Sequence, residues 1–290
     1  MIQIIQFPHP IWEDSKTING IKPWNNEAHK RNFIVSPGEA ITAKGTPPQH
    51  FDSISFWGEW EPEAKVVKTF AKANSPIMPR RLIAPMFPGK MPKSSGINCC
   101  ANTDPFVFGE HFKYSNCRQL RNGMPNRLQD LAAGSLILFG GIFQGEFWLD
   151  TVFVVKDGGD KFVANRHQPL QSILNADYPL FEKTTLKPLA SSSGSSSFTL
   201  YQGQTYWENE NYFSFVPCDV DGNAFAKVKL TQKIVSKLSA NGRNYTILGE
   251  PQKDGSNPQA IWNKIADYVL SQGLSLGVRF DNVAPSTGTV

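Results

Sequence analysis

Cysteine is scarce in this chain, with four residues (Cys99, Cys100, Cys117 and Cys218) in 290. None stands in a C-x2-C spacing, and the five histidines form no H-x-x-x-H or H-x-E pattern. The sequence therefore offers no metal site, and reduced thiols rather than disulfides are expected. No run of 18 apolar residues occurs, which predicts no membrane-spanning helix. The opening MIQIIQFPHP has neither a basic n-region nor a cleavable apolar stretch, so no secretory signal and a cytoplasmic location are expected. Missing too are G-x-G-x-x-G and G-K-[ST] loops and a serine elbow, so neither a doubly wound nucleotide fold nor a triad hydrolase has support.

What is present is aromatic and apolar. Thirty-four aromatics (20 Phe, 7 Trp and 7 Tyr), 40% hydrophobic residues and only 19% charged ones argue against disorder. With 21 Pro and 23 Gly, the chain reads as one compact α+β domain over 1–290. The expected architecture is a mixed, mostly antiparallel sheet or small barrel with several helices packed around it. The clearest helix follows Asn257-Pro258, with Ile261, Trp262, Ile265 and Val269 on one face and Gly273 beyond it. Further helices are predicted over 62–73, after Ser115, over 125–133 and over 231–240. Predicted strands cover 135–139, 146–155, 161–164, 198–201, 212–216, 224–230 and 245–248, with a hairpin turn at Asp157–Asp160. A Pro-rich basic stretch, 75–98, reads as a binding loop or lid, and the serines of 191–197 as a flexible loop.

The net charge of +4 hides a segregated distribution. Residues 64–129 hold eleven Lys/Arg against two acids, and 222–249 hold five Lys/Arg and none, so everything else sums to −10. Such segregation suits a polyanionic partner, because cations that neutralise phosphates release counterions. Lys65, Lys68, Arg80, Arg81, Arg118, Arg121, Lys233 and Lys237 are the candidate phosphate contacts, solvated basic faces being the alternative. Short basic spots also occur at His29-Lys30-Arg31 and Arg166-His167.

Three clusters could carry chemistry. Trp57-Gly58-Glu59-Trp60-Glu61-Pro62 sets two indoles beside two carboxylates. Aromatic faces can sandwich a base while a carboxylate accepts from its exocyclic amine, or acts as a general base. The same residues read equally as a strand edge with core tryptophans. Asn102-Thr103-Asp104-Pro105-Phe106, with Tyr114 downstream, presents an amide and a carboxylate, or is simply an Asx turn. Tyr206-Trp207-Glu208-Asn209-Glu210 alternates aromatics with acids; a Glu-x-Glu pair on a strand can orient a ribose and an oxocarbenium, and loop acids are the plainer reading.

Two resemblances attach to these segments. Leu128-x-x-Leu131-x-x-Gly134-Ser135-Leu136-Ile137-Leu138-Phe139 and the strand ending at Val152–Val155 resemble the core of PUA-like barrels (the EVE, ASCH and YTH groups), which implies recognition of a modified or flipped base. The whole chain, through W-G-E-W-E-P, N-T-D-P-F-V-F-G, G-S-L-I-L-F-G and F-S-F-V-P, resembles the nucleotide-modification-associated group of bacterial and phage proteins. That implies a role in DNA or RNA modification or phage defence. Phe108-Gly109-x-x-Phe112-x-Tyr114-Ser115 is also similar to the segment that lines NAD in ADP-ribosyltransferases, although the early His-Gly or Arg motif of that family is absent.

Two functional expectations follow. The first is a nucleic-acid- or nucleotide-directed protein holding a base among Trp57, Trp60, Asn102, Phe106, Tyr114, Tyr206 and Trp207. The second is an NAD-consuming transferase, a toxin or defence effector with a partner or antitoxin protein. Its catalytic carboxylate would come from Glu59, Glu61, Asp104, Glu208 or Glu210.

Overall fold

Strand β1 (Ile4–His9) buries all six of its side chains, so it lies inside a sheet covered on both faces rather than at an edge. In the computed structural model it runs parallel to β10 (Leu136–Phe143) and antiparallel to β16 (Thr246–Gly249). The structure is described for all residues except 15, 71–74, 90, 92–99, 116, 122–123, 157–159, 164–174, 193–196, 243 and 286–290. The five-stranded sheet is completed by β11 (Glu146–Val154), hairpin partner of β10, and by β15 (Val228–Leu230).

A seven-stranded sheet faces it, in the order β17-β14-β4-β3-β6-β5-β2. Its members are β2 (Ile21–Lys22), β3 (Asn32–Ile41), β4 (Gln49–Gly58), β5 (Ala64–Thr69), β6 (Arg81–Pro85), β14 (Val216–Asp219) and β17 (Ser275–Phe280). Because β17 pairs with β3 as well as with β14, strands β3, β4, β14 and β17 close into a small four-stranded barrel. Short strands β7 (Lys113–Tyr114), β12 (Asp160–Val163) and β13 (Ser197–Gln202) form a third sheet, and β8 (Leu120–Arg121) and β9 (Met124–Pro125) a ribbon. The chain is 38% strand and 15% helix, so sheets dominate the α+β fold.

Helices are few. The helix predicted after Asn257 is Pro258–Ser271, capped by the Asn257 side chain on the Ala260 amide at 3.0 Å. It buries Trp262, Ile265, Ala266 and Val269. A helical run missed by the sequence reading comprises Tyr178–Phe181, a π turn over Glu182–Leu186 and Lys187–Ser192. A single turn, Pro251–Asp254, precedes the long helix. No helix of the described residues is long and apolar enough to cross a membrane.

Several expectations fail for tertiary reasons. The helix predicted over 62–73 is strand β5, where Val66 and Thr69 pair with β6 and the lysines of the supposed helix face sit along a sheet; 71–74 lie outside the described residues. The 125–133 segment forms only the 3-10 turn Arg127–Gln129, and 231–240 forms turns. Residue 116 lies outside the described residues, and the chain after it makes a turn and then β8. The predicted hairpin return at 161–164 pairs instead with β13. The stretches 212–216 and 224–230 supply ordered strand only from Val216 and Val228. The Pro-rich loop is interrupted by β6, an interior strand whose one proline, Pro85, stands at its end; residues 90 and 92–98 lie outside the described ones.

One buried cluster fills the space between the two large sheets. Ile5, Phe7, Phe139 and Phe153 of the five-stranded sheet meet Ile34, Phe56, Trp60 and Phe280, with Phe106, Phe108 and Tyr114 between. Phe56 and Phe280 lie 4.0 Å apart, centroid to centroid, where β17 closes the barrel. The closure needs glycine at position 38, because a Cβ there would stand 2.3 Å from the Arg279 carbonyl oxygen, a backbone atom with nowhere to go. Gly38→Ala is expected to cost about 3 kcal/mol in urea unfolding, the upper end for overpacking. Gly89→Ala, where a Cβ meets nothing, should stay within about 0.5 kcal/mol of the parent.

Candidate functional site

Four segments converge where the two sheets meet: the end of β1, residues 25–31 before β3, residues 59–61 after β4, and the 100–104 loop. They bring together a group of ionised side chains that the core would otherwise exclude. Arg31, 1% exposed, is the hub. Its Nη1 donates to Glu59 Oε2 and its Nη2 to His9 Nδ1. Its Nε lies 2.9 Å from Asp150 Oδ2, an ion-pair contact without hydrogen-bond alignment, which leaves both atoms without a hydrogen bond. Asp150, on β11, also accepts from Lys227 at 2.5 Å, and the Lys227 ammonium sits 3.9 Å from the centroid of Trp57.

Glu59 is sealed, with three donors converging on it. Besides Arg31 it accepts from the Asp104 amide at 3.1 Å and from His29 Nδ1 at 2.9 Å. Glu61, two residues on and also buried, accepts from Asn25 Nδ2 at 2.7 Å and the Lys30 amide at 3.0 Å. It lies 3.3 Å from His29 Nδ1. The Asp104 carboxylate in turn accepts from the amides of Ser115 and Cys117 at 2.9 and 2.7 Å. The helical run missed by the sequence reading holds this loop, since Thr185 donates to the Thr103 carbonyl at 2.7 Å and Thr103 to that of Thr184 at 3.0 Å.

The two histidines are driven in opposite directions. Burial, together with Arg31, His29 and Arg118, holds His9 well below the ordinary imidazole range, so it is neutral and accepts from Arg31. Burial also opposes charge on His29, but the Glu59 charge and the hydrogen bonds that His29 donates to Glu59 and Glu61 overcome it and push His29 up to about 12. Glu59 is held below its usual value against burial, by His29 and Arg31. Burial drops Lys227 to about 8 despite Asp150, and lifts the Cys117 thiol to about 12.

His29 is where the network meets solvent. Its side chain is 28% exposed, against 3% or less for His9, Arg31, Glu59, Glu61, Asp150 and Lys227. It lines a cavity of about 420 Å³ walled by residues 26–29 and 100–102. Asn102, 6% exposed, forms part of that wall, and its Nδ2 has no hydrogen-bond partner. Glu27 at the cavity is neutralised by Lys16 at 2.6 Å.

His29, Glu59 and Glu61 offer three ligand atoms within 4.8 Å of one another, the one metal-like grouping among the described residues. Arg31, Asn25 and two backbone amides already occupy the carboxylates, and the imidazole nitrogen facing them holds a proton. A divalent ion would have to displace all of these, so the donor set fits an internal ion-pair network better than a metal centre.

The structure thus unites Glu59, Glu61, Asn102 and Asp104 from two separate sequence clusters, and separates the rest. Trp57 and Trp60 do not flank an open slot. They are 2% and 0% exposed, and their indole nitrogens donate to the carbonyls of Phe225 and Glu63. Phe106 and Tyr114 are likewise core residues, the Tyr114 hydroxyl donating to the Cys117 carbonyl at 2.7 Å. Glu208 lies elsewhere, paired with Lys156 and accepting from Thr205. Tyr206 lines a different cavity, and Trp207 is exposed under Arg279.

Among the basic candidates, Arg81 is buried on Thr17 and the Lys16 carbonyl and is closed to phosphate. Arg118 is half-buried over the Phe7 ring, and Arg80 is half-buried, its amide donating to Glu13. Lys237 pairs with Asp254. Lys65, Lys68, Arg121 and Lys233 are exposed. The two basic blocks touch through the Lys227 amide and the Ile77 carbonyl at 2.9 Å.

Residues the sequence reading missed as site members are His9, Asn25, Asp150 and Lys227, while His29 and Arg31 figured only as a basic surface spot. The available signal was the two-residue spacing of His29 and Arg31, leading directly into the apolar strand β3, which places both on one side. Compared with family models, curated proteins and solved structures, the chain matches none.

Two outcomes test this account. Glu59→Gln leaves Arg31 buried without its main counter-charge and is expected to cost about 3–5 kcal/mol by urea unfolding. The second is a pH effect. Native His29 keeps its proton up to about 12, whereas the unfolded chain loses it near the ordinary value of 6.5. This contribution is complete below about pH 6.5 and is lost as pH rises toward 12. Between pH 7 and 8 the His29 contribution should fall by about 1 kcal/mol per pH unit, and Lys227, held near 8 in the native chain, offsets part of that fall toward pH 8. His29→Gln should flatten that slope; an unchanged slope would show that His29 titrates normally.

Proposed function

We propose that this chain is a nucleotide- or nucleic-acid-directed protein that receives a phosphate or other anionic group at the His29 cavity. One observation carries the reading: an imidazolium kept protonated by two sealed carboxylates lines an open cavity next to the unsatisfied amide of Asn102. A group held near 12 is a poor general base at neutral pH and a persistent charged donor, which suits binding and orientation of phosphate oxygens. Asn102, whose Nδ2 is buried without a hydrogen-bond partner, stands in the same wall, and a ligand reaches that donor only through a shift of the side chain. The exposed Lys65, Lys68, Arg121 and Lys233 support the same reading as a salt-sensitive attraction for a polyanion. The resemblance to nucleotide-modification-associated proteins points the same way.

The NAD-dependent alternative draws no such support. Of the carboxylates it could use, Glu59, Glu61 and Asp104 are buried, and Glu208 and Glu210 lie in turns rather than side by side on a strand, Glu208 being tied to Lys156 and Thr205.

The test is titration of the full chain with a labelled oligonucleotide and with nucleoside triphosphates at two salt concentrations. Binding that weakens as salt rises, and that falls about tenfold in His29→Gln, is expected. Binding indifferent to His29→Gln would remove the cavity from the reading, and no binding of either ligand at low salt would overturn the reading as a whole.

A further inference from the structure

A second cavity, of about 350 Å³, lies away from His29 between the long helix Pro258–Ser271, the end of β3 and the 206–213 loop. It takes up the third aromatic and acidic cluster of the sequence, which the proposed function leaves unused. Three rings follow one another along its wall. Tyr206 meets Phe213 at 5.3 Å and 78°, and Phe213 meets Trp262 at 4.7 Å and 71°. The Trp262 indole nitrogen donates to the Phe213 carbonyl at 2.6 Å, which fixes the ring. Successive rings at nearly right angles give the cavity walls of differing orientation, and aromatic faces carry negative quadrupole potential.

The charges at the rim have the same sign of preference. Lys44 is neutralised by both oxygens of Asp267, at 2.8 and 2.9 Å. Glu210 is exposed and forms no ion pair with any described residue. The rim therefore carries one uncompensated negative charge beside an aromatic wall. Next in sequence to Tyr206, the Trp207 ring lies 5.2 Å from the guanidinium of Arg279, which is itself ion-paired with Glu39. An anionic ligand would meet Glu210 unfavourably, and a neutral apolar one would leave the carboxylate unused.

We infer that this cavity binds an organic cation, a methylated or quaternary ammonium group, with Tyr206 and Trp262 as aromatic walls and Glu210 as counter-charge. Its volume is at the small end of ligand pockets, which suits a compact head group rather than a large cofactor.

The test is an NMR titration of the full chain with choline, set against its neutral isostere 3,3-dimethylbutan-1-ol, following the Trp262 indole proton. Choline is expected to shift that signal saturably and to bind at least about fivefold more tightly than the alcohol. Glu210→Gln, an exposed change that keeps the fold, should weaken choline about threefold and leave the alcohol unaffected; Tyr206→Ala should weaken it about tenfold. Equal binding of choline and alcohol would overturn the inference, as would absence of saturable binding or an unaltered choline affinity in Glu210→Gln.

Discussion

The contact on which the structure turns is the Arg31 guanidinium. It reaches His9 and Asp150 of the five-stranded sheet and Glu59 beyond β4 of the seven-stranded one, so a single side chain ties the two layers together. Around it the aromatic core is continuous, and Phe7, Phe139, Phe56 and Phe280 would pack without any charge between them. A guanidinium at that depth is tolerable only if each neighbour is in place. This is why Glu59 must arrive directly after β4, and why the Asp104 amide comes within 3.1 Å of it. Fold and site are in this sense one arrangement, with the sheets positioning the charges and the charges restricting how the sheets meet.

Burial of so many ionised groups does not follow from stability. Replacing a buried ion pair with well-packed apolar side chains is often neutral or favourable, whereas removing one member is costly. Arg31, His29 and Lys227 against Glu59, Glu61 and Asp150 form a balanced set, which explains how it survives inside the protein but not why it is there. Its geometry supplies a direction. The interior members balance one another's charge, and the single partly exposed one, His29, has its protonation set from behind by carboxylates that solvent does not reach. A fixed charge at the wall of a cavity is what such an interior can provide and an apolar one cannot.

The sequence made some of this legible. The helix beginning at Pro258 could be read because its cap, its first-turn proline and its apolar spacing agree, and it buries its stripe locally. The hairpin strands β10 and β11 were readable from β-branched and aromatic runs for the same reason. Segment 62–73 misled because alternating lysines and apolar residues satisfy a helical period as easily as a strand's, and only the pairing of β5 with β6, some fifteen residues away, decides between them. The run 178–192 carries threonines and serines in place of a clean apolar stripe, and it is stabilised by bonds to the 103 loop that no local pattern announces.

The site was half legible for a related reason. Glu59, Glu61, Asn102 and Asp104 stood out because acids and amides beside aromatics are unusual, and the structure joins them. Their partners did not stand out, because Arg31 looks like one more surface cation and Lys227 like part of a basic run. A cation's role depends on whether a carboxylate faces it across the core, and that pairing is set by strand order: Asp150 on β11 meets Lys227 from just before β15 because those strands are neighbours. The tryptophans were misleading in the opposite way. Trp57 does face a cation, but the cation is Lys227 from within the same chain, so the aromatic chemistry expected of a ligand pocket is used inside the core to help hold a buried ammonium.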